Sequence, residues 1–324
     1  MRPCLSVLVI APAMCLGGCF VASPGEGVET AEKAAELERW NRAADLWYDI
    51  HRKEREKTAR PFTETARALF HSGDAESACG MILDGLNKFP YDSGLLELHA
   101  EILEDLGFRR AAEPYLVRLV KAHPEHVAGW VALGRVRVGL GNELEAEYPL
   151  TRALELAPGS VEPHVHLARV RQTQGDAPGA FDHYSRAIDL GREGLGFLLD
   201  AASISIDPVV LDERVDASER GLDWTGKALA MDPQSTCAHY LRGVHLELLG
   251  ESDQARIAFL RAVETDPSCL VAIGRLAFLY SQAGDSLRTA EMVKRALDIE
   301  RDEGRRNALE ELLVPEPSTA GEVR

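Results

Sequence analysis

Small and apolar residues recur along most of this sequence at intervals of 34 residues. The interval is marked by a glycine series: Gly73, Gly107, Gly141, Gly175, Gly250 and Gly284. Thirteen residues after each glycine stands an aliphatic side chain: Leu86, Val120, Leu154, Ile188, Val263 and Leu297. Prolines keep the same spacing: Pro90, Pro124 and Pro158, then Pro233 and Pro267. A fixed interval of this length indicates tandem structural repeats.

Each interval predicts two helices joined by a tight turn. Glycine suits the left-handed backbone conformation that commonly ends a helix, and proline cannot continue the hydrogen-bond ladder of the helix before it. One helix pair cannot bury its apolar face alone, so neighbouring pairs are expected to stack. The predicted pairs are 59–92, 93–126, 127–160, 161–194, 202–235, 236–269 and 270–303.

This pattern resembles the tetratricopeptide repeat, most clearly in residues 127–160. The matching positions there are Trp130, Leu133, Gly134, Gly141, Ala146, Leu150, Ala153, Leu154 and Pro158. The resemblance implies an all-α fold, a right-handed α-solenoid of tandem antiparallel helix pairs. It also implies that the first helix of each pair lines a concave groove, in which such proteins bind a protein or peptide ligand.

One segment departs from the pattern in the middle of the chain. The glycine and proline series both contain a gap of two intervals plus seven residues, which places an insertion within 191–211. Pro208, Asp216 and Gly221 stand where leucine, glycine and alanine are expected. We therefore divide the repeat region into repeats one to four (59–194), an irregular insertion with a degenerate repeat (195–235) and repeats six and seven (236–303). The insertion is either a neutral loop or a partner-specific elbow.

We expect capping segments at both ends of the repeat region. Residues 29–58 look like a degenerate helical pair, residues 304–313 are expected to form a C-terminal capping helix, and residues 314–324 a disordered tail.

The first nineteen residues have the pattern of a targeting signal. Arg2 precedes an apolar run from Leu5 to Leu16, as in a secretion signal. The sequence Leu-Gly-Gly-Cys that ends at Cys19 resembles a bacterial lipoprotein box, which implies a signal peptide at 1–18, a lipidated tether at 19–28 and lipid on Cys19. Phe20 is not the aspartate that marks inner-membrane retention in such lipoproteins.

We expect a protein of the bacterial cell envelope, anchored through this lipid in the outer membrane and facing the periplasm. The alternative is an ordinary signal peptide with a chance cysteine.

The net charge and the lack of catalytic motifs argue against several classes of function. A formal net charge of −16 argues against nucleic acid as the main partner. No phosphate loop, zinc-ligand spacing or nucleophile elbow is present, so we predict no cofactor, no metal and no enzymatic activity. His164 and His166 are expected to pack at helix interfaces. Cys237 and Cys269, at equivalent points of neighbouring repeats, are expected to lie about 10 Å apart and beyond disulfide reach.

Arginines repeat at one phase of the pattern. Arg135 and Arg137 recur one interval later as Arg169 and Arg171, and Arg67 shares the phase of Arg135. The resemblance places this phase in the groove, where guanidinium groups could hold a carboxylate. Alternatively, the arginines pair with acids at groove-facing positions, which are Glu97, Glu101, Glu104 and Asp105.

Aromatic residues further along the chain complete the predicted groove. Tyr240 and Phe278 are expected to offer apolar anchors for a ligand. The sequence thus predicts a membrane-anchored, non-catalytic scaffold or adaptor in envelope assembly, for pilus, secretion or cell-wall machinery. The rival interpretations are a small-molecule or glycan binder in the same groove and an enzyme with its site in residues 191–224.

Overall fold

The computed structural model describes residues 24–54, 57–214 and 216–311 of the 324-residue chain. All regular secondary structure in these ranges is α-helical. Cys19, the predicted signal peptide and the predicted tail at 314–324 lie outside the described residues. The chain divides into two compact units, residues 1–124 and 125–324.

The first unit contains three helix pairs among its described residues. Its helices are α1 (Pro24–Glu36), α2 (Trp40–Glu54), α3 (Arg60–His71), α4 (Ala75–Lys88), α5 (Ser93–Asp105) and α6 (Arg109–Ala122). Each odd-numbered helix packs against the next even-numbered one, and α2 also packs against α3. The predicted degenerate pair at 29–58 corresponds to α1 and α2, although α1 begins earlier, at Pro24.

The second unit contains the remaining helices. They are α7 (Val127–Gly139), α8 (Glu143–Leu156), α9 (Val161–Thr173), α10 (Ala177–Asp189), α11 (Leu195–Ile204), α12 (Pro208–Glu213), α13 (Ala217–Met231), α14 (Thr236–Leu248), α15 (Ser252–Thr265), α16 (Leu270–Gln282), α17 (Ser286–Ile299) and α18 (Glu303–Glu311). The pairs are α7–α8, α9–α10, α11–α13, α14–α15 and α16–α17.

The 34-residue interval sets these pairs, which confirms the prediction of an all-α fold built from helix pairs. Every glycine of the series falls between two helices with a positive φ, such as 77° at Gly141. Small residues let the helices of a pair touch. A Cβ added to Gly134 would stand 2.4 Å from Leu150 Cγ, and one added to Gly243 would stand 2.5 Å from Phe259 Cε1.

The insertion lies inside a helix pair rather than ahead of it. Helix α11 begins at Leu195, one full interval after Val161 and seven residues before the predicted start of that repeat at 202. The extra residues therefore fall between α11 and α13, where they form the short helix α12. The second helix of this pair, α13, runs from Ala217 to Met231.

Polar contacts fix the inserted segment to the preceding pair. Val210 of α12 is fully buried. Arg214 donates to both carboxylate oxygens of Asp182 on α10, at 3.0 and 2.7 Å. Arg220 of α13 pairs with Asp189 of α10 at 3.3 Å. The segment is thus packed against α10 and is not a free loop.

The last described helix closes the second unit. Helix α18 (Glu303–Glu311) includes residues 304–311 of the predicted capping segment and packs against α17. Its Arg306 donates through Nη1 to the carbonyl oxygens of Leu297 and Glu300, at 2.5 and 2.9 Å, and so satisfies carbonyls left open at the end of α17. Among the described residues, no helix has both the length and the apolar character needed to cross a bilayer.

Candidate functional site

Some first helices of successive pairs contact one another directly. Helix α3 packs against α5 in the first unit, and α7 packs against α9 in the second. Helix α11 packs in the same way against α14. The accessible side chains of α7, α9 and α11, here named the first-helix surface, include four of the arginines singled out by the sequence: Arg135, Arg137, Arg169 and Arg171.

Two of the predicted arginines on this surface are already paired with carboxylates. Arg137 donates through Nη1 to the carbonyl oxygen of Glu145 at 2.9 Å, and its Nε lies 4.0 Å from Glu145 Oε2. Arg171 forms ion pairs with Glu147 at 2.6 Å and Asp176 at 3.6 Å. Ion pairing, one of the two alternatives, therefore describes Arg137 and Arg171.

The acids in these contacts belong to the second unit: Glu145 and Glu147 lie on α8, and Asp176 lies in the turn after α9. The sequence proposed Glu97, Glu101, Glu104 and Asp105, on the first helix of another repeat. Arg137 and Arg171 lie in the last turns of α7 and α9, so their side chains reach α8 or the turn beyond. A repeat phase fixes a position along the helix but not the direction of a long side chain.

A second group of arginines surrounds His166 on α9. This cationic cluster comprises Arg135, Arg169 and Arg192; Arg169 and Arg192 are exposed and Arg135 is half-buried. Burial lowers the pKa of His166 to about 4; Glu162 opposes this shift, and the three guanidinium groups add to it. The imidazole is therefore neutral at pH 7, and the positive charge of this region belongs to the arginines.

Arg192 is the member that sequence reasoning missed. It follows Gly191 in the turn before α11, and its guanidinium carbon lies 5.6 Å from the centre of the Phe197 ring. Repeat phase could not indicate it, because a turn residue has no equivalent on the first helices. A signal was present only in the unusual composition of the 191–197 segment, which combines arginine, glycine and phenylalanine.

The remaining predicted site residues are distributed over both units. Arg67 on α3 is exposed and lies 3.7 Å from Glu64, and Glu101 on α5 is exposed; both belong to the first unit. Tyr240 on α14 is half-buried and packs against Phe259 at 5.9 Å between ring centres. Phe278 on α16 is 38% exposed. Of the two predicted aromatic anchors, Phe278 is therefore the more accessible.

The histidines of the α9–α10 pair form contacts between helices. His164 Nδ1 lies 2.9 Å from His183 Nδ1, as expected for an interface histidine. Burial lowers the pKa of His164 to about 4, and His183 and Arg186 add to the shift. Within the described residues, no three histidine, cysteine, aspartate or glutamate side chains are placed to hold a metal ion. Cys79, Cys237 and Cys269 are free thiols.

Comparison with known proteins supports the repeat assignment. The family model described as tetratricopeptide repeat matches residues 98–161 and 226–268. No curated protein matches the chain in sequence.

Two solved structures share the fold at low sequence identity. YrrB, a TPR protein described as having an unusual peptide-binding site, is 17% identical with a TM-score of 0.53, over 60% of this chain and 97% of its own. A tetratricopeptide repeat protein from Parabacteroides merdae is 17% identical with a TM-score of 0.52, over 79% and 98%. Residues 98–161 and 226–268 therefore match tetratricopeptide repeats, within a chain whose described residues form stacked helix pairs.

Proposed function

We propose that this protein is a non-catalytic scaffold that binds a protein or peptide on the first-helix surface of its second unit. The observation that carries the proposal is the exposure of Arg169 and Arg192 on this surface. Both guanidinium groups, together with that of half-buried Arg135, lie close enough to His166 to lower its pKa. The whole chain has a formal net charge of −16, so this cationic cluster is a region of positive charge in an acidic protein.

The cluster suits an acidic group of the partner. Guanidinium groups form planar, bidentate contacts with carboxylates. A partner carboxylate would lie against the exposed guanidinium groups of Arg169 and Arg192. YrrB, which shares the fold, is described as having a peptide-binding site, and this supports peptide recognition as the working model.

The proposed cellular context rests on the N-terminal sequence. The Leu16–Cys19 box implies lipid on Cys19, and an anchor with more than one acyl chain is stable where a single chain is marginal. The scaffold would then act at the bacterial cell envelope, attached to the outer membrane and facing the periplasm, in the assembly of pilus, secretion or cell-wall machinery. Mass spectrometry of the purified protein tests the anchor: an acylated Cys19 at the N-terminus is expected, and an unmodified N-terminus contradicts it.

A site-specific crosslinking experiment tests the binding surface. A photoreactive p-benzoylphenylalanine replaces Glu162, which is exposed on α9 beside the cluster, and, in a parallel protein, Ile257 on α15, which is 59% exposed. Irradiation in cells should give a discrete adduct from position 162. The adduct should disappear with Arg135→Glu and Arg169→Glu, because reversing both charges repels a partner carboxylate.

A second double variant with the same change in charge tests whether loss of the adduct depends on where the charges lie or only on the net charge. Arg261→Glu with Lys294→Glu changes the formal charge equally, at exposed positions on the second helices α15 and α17. The adduct should persist in this control, and far-UV circular dichroism should be unchanged in both double variants. An adduct that is lost equally in both, or that forms only from position 257, contradicts the proposed surface.

A further inference from the structure

Helix α14 carries an arginine at a position that α7, α9 and α16 fill with a leucine. Arg242 stands one interval before Leu276 and two intervals plus seven residues after Leu167, which follows Leu133 by one interval. The three leucines are buried, whereas Arg242 is half-buried. A guanidinium group therefore occupies a position that three other pairs give to their apolar core.

A cavity of about 750 Å³ opens beside Arg242. It is lined by one face of α13, by Arg242 and by residues at the end of α14 and the start of α15. Gly226 of α13 contributes no side chain to this lining, and a Cβ added there would stand 3.7 Å from Arg242 Nη1. At the equivalent position one interval later, α15 has Leu260. Because no large side chain stands at position 226, the guanidinium group is open to the cavity.

The acids that line the cavity do not neutralise Arg242. Asp223 pairs with Lys227 at 2.8 Å, and Glu251 accepts a hydrogen bond from Gln254 Nε2. Within the described ranges of the chain, Arg242 forms no hydrogen bond or ion pair. A charge that is partly removed from water without a partner costs free energy. A carboxylate supplied by a ligand would therefore be stabilised beside this guanidinium group.

The cavity also carries negative charge at one end. Glu219 is exposed on the same face of α13, seven residues before Gly226, and has no ion pair in the part of the chain that the structure describes. At a rise of about 1.5 Å per residue, the two Cα atoms lie about 10 Å apart along the helix. Glu219 would repel a purely acidic ligand. A ligand that carries a carboxylate and an ammonium group at this separation complements both ends.

The length of the arginine side chain explains only part of this arrangement. An arginine stem can lie against apolar surface while its head reaches water, and this is sufficient to account for the half-burial of Arg242. It does not account for the glycine at position 226, which keeps the cavity open. Nor does it explain why Asp223, about one helical turn from Gly226, pairs with Lys227 instead.

We propose that this cavity is a second docking site, which binds a short segment of a partner protein that carries an acidic and a basic side chain about 10 Å apart on one side. The carboxylate of the segment lies against Arg242, and its cationic group lies against Glu219. Apolar groups between the two charges cover Leu222, which lies on the same face of α13 between Glu219 and Gly226. None of these residues belongs to the first-helix surface, so the site does not depend on the function proposed above.

Fluorescence anisotropy with the full chain tests the proposal. The probe is a fluorescein-labelled, C-terminally amidated peptide, Gly-Lys-Pro-Pro-Glu-Gly. Its prolines favour a polyproline II conformation, in which residues three apart lie on one side and about 9 Å from each other. Replacing its glutamate by glutamine gives the ligand control. Saturable binding of the glutamate peptide is expected, and no saturation at about 1 mM peptide overturns the site.

Variants of the cavity then identify the contacts. Arg242→Leu, which restores the leucine of other pairs, should weaken binding about tenfold, because a charge-assisted hydrogen bond is lost. It should not change the affinity of the glutamine peptide, and this coupling separates a direct contact from a change in fold. Gly226→Leu should weaken binding by at least about fivefold because it fills the cavity. Glu219→Gln should weaken it only about twofold, because its pair with the peptide is exposed.

Two further proteins make the result specific. Lys294→Leu removes one positive charge at an exposed position on α17 and should change affinity less than about twofold. Arg135→Glu with Arg169→Glu should also leave affinity within about twofold, whether or not the first-helix proposal holds. Equal weakening by Arg242→Leu and Lys294→Leu overturns the site, as does equal binding of the two peptides to the unaltered chain. Binding that is lost with the Arg135 and Arg169 changes but is insensitive to Arg242→Leu overturns it as well.

Discussion

The pairs α9–α10 and α11–α13 are neighbours in the second unit, but only the second carries an insertion. The regular pair follows the 34-residue interval: it buries small residues such as Ala168 and Ala180, and its His164 and His183 side chains meet between its own two helices. The pair with the insertion makes polar contacts with the helices on both sides of it. Its Arg214 reaches Asp182 on α10, and His245 of α14 is buried against it.

The buried polar contact at this pair involves three helices. His245 is fully buried, and its Nε2 lies 3.2 Å from the carbonyl oxygen of Ala202 and 3.3 Å from Ser205 Oγ. Gly221 of α13 faces the imidazole so closely that a Cβ would stand 2.1 Å from His245 Cε1. The insertion pair is therefore joined to α14 by a buried polar contact between residues whose spacing does not follow the repeat.

The largest expected effect follows from filling the space at Gly221. Gly221→Ala places a methyl group against the buried imidazole and Ser205, and overpacking of this kind costs about 1–3 kcal/mol of the free energy of unfolding. Gly226→Ala on the same helix is the matched control, because its Cβ would meet only Arg242 Nη1, at 3.7 Å. That change should be neutral or stabilising by up to about 1 kcal/mol. Urea denaturation measures both, and equal effects would contradict the packing described.

The next effect is a pH dependence that should be stronger for the insertion pair. Burial lowers the pKa of His245 from 6.5 to about 4. The unfolded chain then binds a proton at a higher pH than the folded chain does. The contribution of His245 to stability is therefore complete above pH 6.5 and is lost as the pH falls towards 4, by about 3 kcal/mol at most.

His164 provides the comparison within the regular pair. Its pKa is also lowered to about 4, but its ring is only half-buried, so solvent should reduce its contribution. Urea midpoints measured from pH 7.5 to 4.5 should become less dependent on pH with His245→Gln, and less markedly so with His164→Gln. A pH profile that His245→Gln leaves unchanged would refute this assignment.

The smallest effect concerns the ion pair that holds the inserted segment. Arg214→Gln should cost about 0.5–1 kcal/mol, because the pair with Asp182 is bidentate but partly exposed. Arg261→Gln, which removes a more exposed pair with Glu264, should cost less than that. A double-mutant cycle with Asp182→Asn isolates the coupling. A coupling of zero would mean that α12 is held by the burial of Val210 alone.

The sequence predicted the helix pairs because each pair needs particular residue types at fixed positions. The turn at Gly141 has a positive φ, which favours glycine, and the position of Gly134 has no room for a Cβ beside Leu150. Both needs recur as small residues at a fixed spacing. The position of the insertion could not be predicted in the same way. The gap of two intervals plus seven residues shows that residues were added, but it does not show whether they precede or follow α11. The contact between His245 and Ala202 joins residues 43 apart and follows no repeat.

The candidate sites were predictable to a smaller extent. Repeat phase selected Arg135 and Arg169, which belong to the proposed cluster, and also Arg137 and Arg171, which contact residues of α8 and of the turn after α9. Arg192 lies in a turn, where side chains meet through the stacking of pairs and not through sequence spacing.

Hydrogen–deuterium exchange on the protein, with and without the partner identified by crosslinking, tests the central claim most directly. If the cationic cluster is the docking surface, binding should slow exchange in α7, α9 and the 191–194 turn. The effect should disappear with Arg135→Glu and Arg169→Glu. Protection confined to the second helices α8, α10 and α15, or protection unaffected by these substitutions, would contradict the account.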